Sequence, residues 1–335
     1  MYLLERALRG LDHDRIPVWF MRQAGRYSEH YRNYRSRYTF KEMCRDPKIV
    51  ADITIDPVRR LGVDAAIIFS DIILPVESMG FNVEFLENIG PTVSNPFSSA
   101  GTFHDFDPSG FPYPLEQAIG IVRDMAPEVP VIGFAGGPIT VASYLTEGRP
   151  DSDLRRTKKY IIKGDRGFAE LLQGVSEMTV KMSKMQLRAG CSAIQIFDSW
   201  AGNLSTHQLR EYSDRYLSEI SSELSGENVI YFSTQTGGNI SVLRLSGFHF
   251  FSLDWRTDLG LASDILGEDA GVQGNLDPQV PAVSKDRSLL ETELILREMK
   301  GKSRYIFNLG HGVLPDTPEE NLKAIVEAVH QEVIP

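Results

Sequence analysis

Seven basic residues, Arg15, Arg22, Arg26, Arg32, Arg35, Arg37 and Lys41, share positions 15–41 with Glu29 as the only acid. Seven charges against one make this stretch strongly positive on a chain whose formal net charge is −10. Such a local reversal suits a small ligand bearing several carboxylates or phosphates, because a cluster can oppose the field of the whole molecule. Arginine supplies always-charged donors that grip either group bidentately. Arg22 and Arg26 follow directly on an apolar run at 17–20 and are the stronger candidates. Arg32, Arg35 and Arg37 equally suit a solvated basic face or a subunit contact.

Asp71 ends the run Ala-Ala-Ile-Ile-Phe-Ser-Asp. A carboxylate at the end of so apolar a segment is costly to desolvate unless it meets a cation or N–H donors. It could cap a following helix, or it could stabilise positive charge on a ligand. His311 has glycine on both sides, which lets backbone and ring approach a ligand closely.

The elements that must position these residues are short apolar runs alternating with longer helical patterns. Eight runs read as buried parallel strands: 17–20, 64–69, 131–134, 193–197, 229–232, 248–253, 271–273 and 304–308. Amphipathic stretches such as 164–189 and 206–224 lie between them. Strand–helix alternation predicts a parallel sheet. A doubly wound open sheet would carry a glycine-rich phosphate fingerprint after its first strand, and Met-Arg-Gln-Ala-Gly-Arg-Tyr is not one. The expected fold is therefore α/β, a single (β/α)₈ barrel over residues 1–335, with loop insertions at its C-terminal face. The insertions are the basic, Tyr-rich 21–45 and the Gly-, Pro-, Asn- and Ser-rich 80–114, which has room for a small hairpin.

In such a barrel all strand C-termini converge on one face, where barrel enzymes carry their chemistry. Here the runs lead in turn into Arg22 and Arg26, Ser70 and Asp71, Gly136-Gly137-Pro138, Asp198 and Ser199, Thr234 and Thr236, Asp254, Asn275 and Asp277, and Gly310-His311-Gly312. Asp, Asn, Ser and Gly also punctuate strand-to-helix turns and cap helices. The regularity with which apolar strands end in polar groups favours a functional mouth.

The acidic balance argues against nucleic acid or an anionic membrane as the main partner. The two cysteines, Cys44 and Cys191, form no C-x-x-C pair, so a reducing cytoplasm is the expected home. Charged residues interrupt positions 1–14, which read as an opening helix rather than a signal peptide, and no run is long enough for a membrane span. Zinc, P-loop and EF-hand motifs are absent, and no strand leads into a lysine that could hold pyridoxal phosphate. Neither a metal nor an organic cofactor is expected.

The same residues carry a family resemblance. Residues 17–27 (Pro-Val-Trp-Phe-Met-Arg-Gln-Ala-Gly-Arg-Tyr) resemble the signature of the uroporphyrinogen decarboxylases. Residues 67–72, 133–136, 195–202, 273–278 and 308–312 are similar to further blocks of that family, in its order and spanning nearly the whole chain. The resemblance implies a homodimeric barrel, free of cofactors, that removes carbon dioxide from the four acetate side chains of the tetrapyrrole uroporphyrinogen to give coproporphyrinogen. By matching position, Arg22 and Arg26 would bind substrate carboxylates, with Gln23, Ala24 and Gly25 forming the loop between them. Asp71 would accept hydrogen bonds from the pyrrole N–H groups, and Tyr144, Phe197, Ser199 and His311 would line the rest of the site.

The chemistry fits these residue types. A pyrrole becomes an electron sink when its α-carbon is protonated, and a carboxylate held against its N–H groups stabilises the positive ring in the transition state. Asp71 is the candidate for that role. Arg22 is the second catalytic candidate and could donate a proton, relay one from water, or position the carboxylate. The chain departs from many relatives at Pro138-Ile139-Thr140, where they have Pro-Trp-Thr, and its Phe-Ser-Thr-Gln-Thr-Gly at 232–237 differs from the animal pattern, which has a lysine nearby. Two alternatives differ in class. Cobalamin- or coenzyme M-dependent methyltransferases of the same superfamily bind zinc through His-x-Cys and a later Cys, where this chain has Ser233-Thr234-Gln235-Thr236 and His311. A non-catalytic tetrapyrrole carrier would share the arginine loop without needing Asp71 as a charge stabiliser.

Overall fold

The computed structural model describes residues 1–86, 89–98 and 101–332. Its strands are β1 (Ala66–Ile67), β2 (Val83–Leu86), β3 (Gly90–Val93), β4 (Val131–Gly136), β5 (Ala193–Phe197), β6 (Val229–Phe232), β7 (Phe250–Ser252), β8 (Gly271–Leu276) and β9 (Tyr305–Leu309). Seven of them form one curled parallel sheet in the order β1-β4-β5-β6-β7-β8-β9. From β4 onward each step joins strands consecutive in sequence, and β1 reaches β4 past β2 and β3, with registers such as Ala66↔Val131 and Ile194↔Val229. β2 and β3 pair antiparallel outside this sheet, from Val83↔Val93 to Leu86↔Gly90. They supply the hairpin expected within 80–114, a stretch of which 87, 88, 99 and 100 lie outside the described residues.

The expected eighth strand, 17–20, does not form. It makes one parallel bridge to the sheet, Val18↔Phe307. Pro17 has no N–H to offer a ladder. Three of the four amides that follow are claimed by side chains: Val18 donates to Asp64 Oδ2 (2.8 Å), Phe20 to Gln23 Oε1 (3.0 Å) and Met21 to Asn308 Oδ1 (3.1 Å), while Trp19 donates to Phe307 O (3.4 Å). The segment still lies between the two edges of the sheet. Phe307 N–H donates to Pro17 O (2.9 Å), and Asp64 N–H donates to Val18 O (2.8 Å). Arg15 grips Asp64 with two bonds, of 2.9 and 2.6 Å. β1 is shorter than expected for a related reason, since the Phe69 N–H is taken by Thr54 Oγ1 from the helix Pro47–Leu61 (2.9 Å).

The sheet interior is packed, and most of its polar groups are paired, as is usual for buried polar groups, although Gln195 Nε2 and Asn308 Nδ2 have no partner among the described residues. Trp19 Nε1 donates to Gln273 Oε1 (2.9 Å), whose amide nitrogen donates to Gln195 Oε1 (2.9 Å) and Ser252 Oγ (2.8 Å). Outside lie the helices. Arg166–Ala189 spans the expected region and starts at Asp165, whose side chain accepts the Phe168 N–H (3.0 Å). The expected helix at 206–224 is broken instead. Thr206–Tyr212 widens into a π-turn at Ser213–Leu217 before Ser218–Glu223 resumes. Such bulges accompany functional sites, and Tyr212 at this one reaches toward the mouth.

Candidate active site

The first loop leaves the sheet through a tight turn in which Gln23 N–H donates to Phe20 O (3.0 Å). Gln23 is fully buried beneath this turn. Its amide accepts from Phe20 and donates to Ala65 O (2.9 Å), while Tyr27 OH donates to the Gln23 carbonyl (2.8 Å). Its side chain thus sets the loop, and Arg22, Ala24, Gly25 and Arg26 form the face above it. Arg22 takes a left-handed backbone, φ 61°. A non-glycine residue in that region is held there by its surroundings, as is common where a side chain is aimed at a ligand. Two glycines make room for it. A Cβ on Gly25 would stand 2.7 Å from Arg22 O, and one on Gly312 would stand 2.3 Å from Arg22 Cδ.

The basic cluster divides into structural and open members. Arg15 is bound to Asp64, Arg32 donates to the carbonyls of Arg26 and Tyr27, Arg35 donates to Tyr38 O (2.8 Å), and Lys41 pairs with Glu77. Arg22 and Arg26 are exposed and make no side-chain hydrogen bond among the described residues.

Asp71 lies four residues beyond β1. One oxygen accepts the Ile73 N–H (2.9 Å), which leaves the rest of the carboxylate open. Burial pushes its pKa up to about 6, against the pull of the Ile73 N–H and the Arg22 charge. The residue is partly exposed, and its carboxyl group is strongly desolvated.

His311 is the opposite case. Burial first, then the charge of Arg22, holds its pKa down to about 4, with Asp254 opposing and Arg256 adding to the fall. Its Nδ1 accepts the Gly312 N–H (2.7 Å), so the neutral ring carries its proton on Nε2. It presents a donor.

Tyr144 sits on the helix Pro138–Glu147. Burial and the Asp71 charge push its phenol well above the usual range, so it too stays protonated. Its ring stacks on Trp200 at 4.5 Å. Trp200 is in turn fixed by its N–H donating to Thr140 Oγ1 (3.0 Å). Thr140 donates both hydroxyl and backbone N–H to Asp198 Oδ1 (2.9 and 2.8 Å), and Tyr212 and Tyr231 donate to Oδ2 (2.6 and 2.9 Å). Asp198 is fully buried, and burial raises its pKa despite these four bonds. The expected polar strand end at Asp198 is therefore a scaffold, and Ser199 beside it is part-exposed, its carbonyl accepting from Thr234 Oγ1 (2.6 Å).

Phe197 belongs to an apolar wall. Rings run edge to face from Phe134 to Phe197 (5.6 Å), from Phe197 to Phe232 (5.7 Å) and from Phe232 to His311 (5.7 Å), crossing β4, β5, β6 and the loop after β9. Phe134, Phe232, Trp200 and the pair Trp255-Arg256 are the neighbours that sequence reasoning missed. Trp255-Arg256 follows the sixth predicted strand-end motif, Asp254, by one step and could have been found there as an aromatic and a cation at a strand end.

Among the described residues no group of three His, Cys, Asp or Glu side chains is placed to hold a metal ion, and no helix is long and apolar enough to cross a membrane. Cys44 and Cys191 are both free and buried.

Curled parallel sheets of this kind carry their chemistry at the carboxyl ends of the strands, and Asp71, Tyr144 and His311 all feel the charge of Arg22 there. This is an α/β enzyme of that class. The family model described as uroporphyrinogen decarboxylase matches residues 1–332, and the chain belongs to that family. It is 44% identical over 328 residues to a protein named uroporphyrinogen decarboxylase from Thermoplasma acidophilum, covering 97% of each chain. A protein of the same name from Picrophilus torridus is 46% identical over 320 residues, covering 95% of each. One from Sorangium cellulosum is 39% identical over 331, covering 97% of this chain and 95% of its own. Among solved structures, a methyltransferase from Methanosarcina mazei shares the fold at a TM-score of 0.82 and 21% identity, covering 98% of this chain and 97% of that one. A B12-independent methionine synthase from Shewanella sp. shares it more loosely, at a TM-score of 0.58 and 11% identity over 88% of each chain.

Proposed function

We propose that this chain is a uroporphyrinogen decarboxylase, a carboxy-lyase that removes carbon dioxide from the four acetate side chains of uroporphyrinogen III and yields coproporphyrinogen III. The observation that carries the reading is that Asp71 lies within the field of Arg22 without an ion pair between them. A half-open carboxylate with a raised pKa faces the same mouth as two unpaired arginines.

In this reading Arg22 and Arg26 hold substrate carboxylates, and Asp71 accepts the pyrrole N–H groups. Protonating a pyrrole α-carbon puts positive charge on the ring. The bond from the acetate methylene to its carboxylate then breaks, carbon dioxide leaves, and the bonding pair neutralises the ring as an exocyclic methylene. Protonation of that methylene gives the methyl group, and loss of the α-proton restores the pyrrole, so one proton is consumed in all. Asp71 stabilises the cationic ring and binds N–H groups that themselves favour its ionised form. His311 Nε2–H and the Tyr144 hydroxyl donate to side-chain carboxylates, and the Phe197 wall excludes water from one face. Ser199 borders the same end of the mouth. Gln23, Ala24 and Gly25 position the two arginines.

The finer structural expectations accompany this reading. Residues 17–20, bridged to β9 and bonded to Asp64, serve as the eighth stave of a closed barrel, and the chain is one catalytic domain. Of the expected 1–335, positions 333–335 lie outside the described residues. The protein is read as a cytoplasmic homodimer.

The test is anaerobic incubation of the purified protein with uroporphyrinogen III and a chelator, followed by oxidation and separation of porphyrins by carboxylate number. Stepwise appearance of seven-, six-, five- and four-carboxylate species is the expected result. Folded protein that leaves the substrate unchanged would sink the reading. Binding without turnover would point to a carrier, and restored activity with added zinc and a methyl donor would point to the methyltransferases.

A further inference from the structure

The loop after β7 holds a cation to which the reading above gives no task. Arg256 keeps 51% of its side-chain surface, yet its guanidinium is fixed on two sides. One N–H donates to Asp254 Oδ2 (2.8 Å), and the guanidinium lies over the Trp255 ring with Cζ 3.9 Å from the centroid. Asp254 is only 1% exposed and is itself clamped. It accepts the Gln235 N–H on Oδ2 (3.0 Å) and the Thr257 hydroxyl on Oδ1 (3.2 Å), and Gln235 adopts a left-handed backbone, φ 59°, in the turn that presents its amide.

This is more fixing than a surface arginine receives. A solvated guanidinium samples many rotamers, and tethering one costs conformational entropy. Here both a buried carboxylate and an indole face hold it, while its other N–H donors make no bond among the described residues. A guanidinium has five donors in a rigid fork. The fixed edge leaves the remaining ones turned outward, ready for a second carboxylate without further ordering.

The loop also adjoins the site. Gly310 packs so closely that a Cβ on it would stand 2.4 Å from Trp255 N, and the next residue is His311. The charges of Arg256 and Arg22 both act on the His311 imidazole, although they come from different loops. Asp254 opposes them at the imidazole, so the capacity of this loop to take an anion rests on the Arg256 donors that Asp254 does not use. The octacarboxylate substrate carries acid arms around its whole rim, and the 22–26 loop serves one side of the mouth.

Resting on the decarboxylase reading, we infer that Arg256 is a further substrate-binding residue, which receives a propionate of the macrocycle at the β7 side of the mouth, with Asp254 and Trp255 as its positioning residues. The propionates survive all four decarboxylations, so the contact is available in every round and in the product.

The test compares wild type, Arg256→Gln and Arg256→Lys for KM with uroporphyrinogen III and for competitive inhibition by coproporphyrinogen III, which carries propionates alone. Thermal midpoints are measured in parallel. The expected result for Arg256→Gln is a rise of about tenfold in both KM and the inhibition constant, with kcat falling less, and partial recovery in Arg256→Lys. A raised KM with unchanged inhibition by coproporphyrinogen overturns the assignment to a propionate. So does an unchanged KM, or a loss of kcat that tracks a lowered thermal midpoint. Wild-type protein that fails to turn over the substrate fails the decarboxylase reading itself, a result separate from any difference between variants.

Discussion

The Arg22 side chain lies across Gly312, so close that a methyl group on the glycine would stand 2.3 Å from the arginine Cδ. The loop after residues 17–20 and the loop after β9 therefore share one small volume, and the arginine's aim depends on a residue 290 positions away. Replacing Gly312 with alanine should displace Arg22 while leaving the fold intact. Displacements of about 1 Å in a positioned group cost on the order of 100-fold in rate. The expected outcome is a fall of that order in kcat/KM with a thermal midpoint close to wild type, measured by decarboxylation assay and calorimetry. Full activity in the alanine variant would show that the arginine's position does not matter.

Asp71 sets an acid limb and a stability cost together. Its pKa is raised to about 6 in the folded chain from an ordinary 3.8. A carboxyl group raised in this way binds its proton more tightly when folded, so it adds stability below pH 4, and that contribution is lost as pH rises through 6. At pH 7 the ionised group therefore costs stability, up to about 3 kcal/mol for a shift of this size. Asp71→Asn should be more stable than wild type at pH 7, with the difference shrinking between pH 6 and pH 4. It should also lose about 100- to 1,000-fold in kcat while retaining substrate binding. An Asn variant less stable than wild type at neutral pH would count against the burial argument.

His311 should not titrate across the working range. Its pKa is held down to about 4, and the Gly312 N–H occupies Nδ1. Heteronuclear NMR of the ring nitrogens should show a single Nε2–H tautomer from pH 8 to pH 5. The acid limb of kcat/KM then belongs to Asp71 alone and should vanish in Asp71→Asn but persist in His311→Gln. A ring that protonates near pH 6.5 would remove that assignment.

Thr140→Val tests the scaffold behind Tyr144. The change removes the hydroxyl that bridges Asp198 to the Trp200 N–H, leaving a buried amide and one carboxylate contact unmet. Such losses cost about 1–3 kcal/mol. Trp200 should also shift relative to Tyr144, seen as a change in indole fluorescence and a lowered kcat/KM. Thr140→Ser, which keeps the hydroxyl, should recover most of both.

The path of the sheet and the converging strand ends were legible in the sequence because apolar runs and polar punctuation are local signals. Asp71 and His311 could be read that way. Tyr144 could not, since it lies on the second turn of a helix rather than at a strand end, and only the family resemblance reached it. Residues 17–20 look like a strand by composition, yet the Val18 and Phe20 amides are claimed by the side chains of Asp64 and Gln23, contacts that composition does not reveal. The motif places Gln23 in the loop between Arg22 and Arg26, but it does not give the direction of the side chain. Burial decides that direction, and burial belongs to the tertiary fold.

Those same side-chain bonds set an order of assembly. Arg22 is among the earliest residues of the site to leave the ribosome, yet its neighbour Met21 waits for Asn308 and its side chain for the gap at Gly312. A nascent chain can wind most of the sheet and still have no binding loop. The loop that carries Arg22 is thus set only once the chain through Gly312 is in place, and a segment that stops before it holds the arginine without the contacts that aim it.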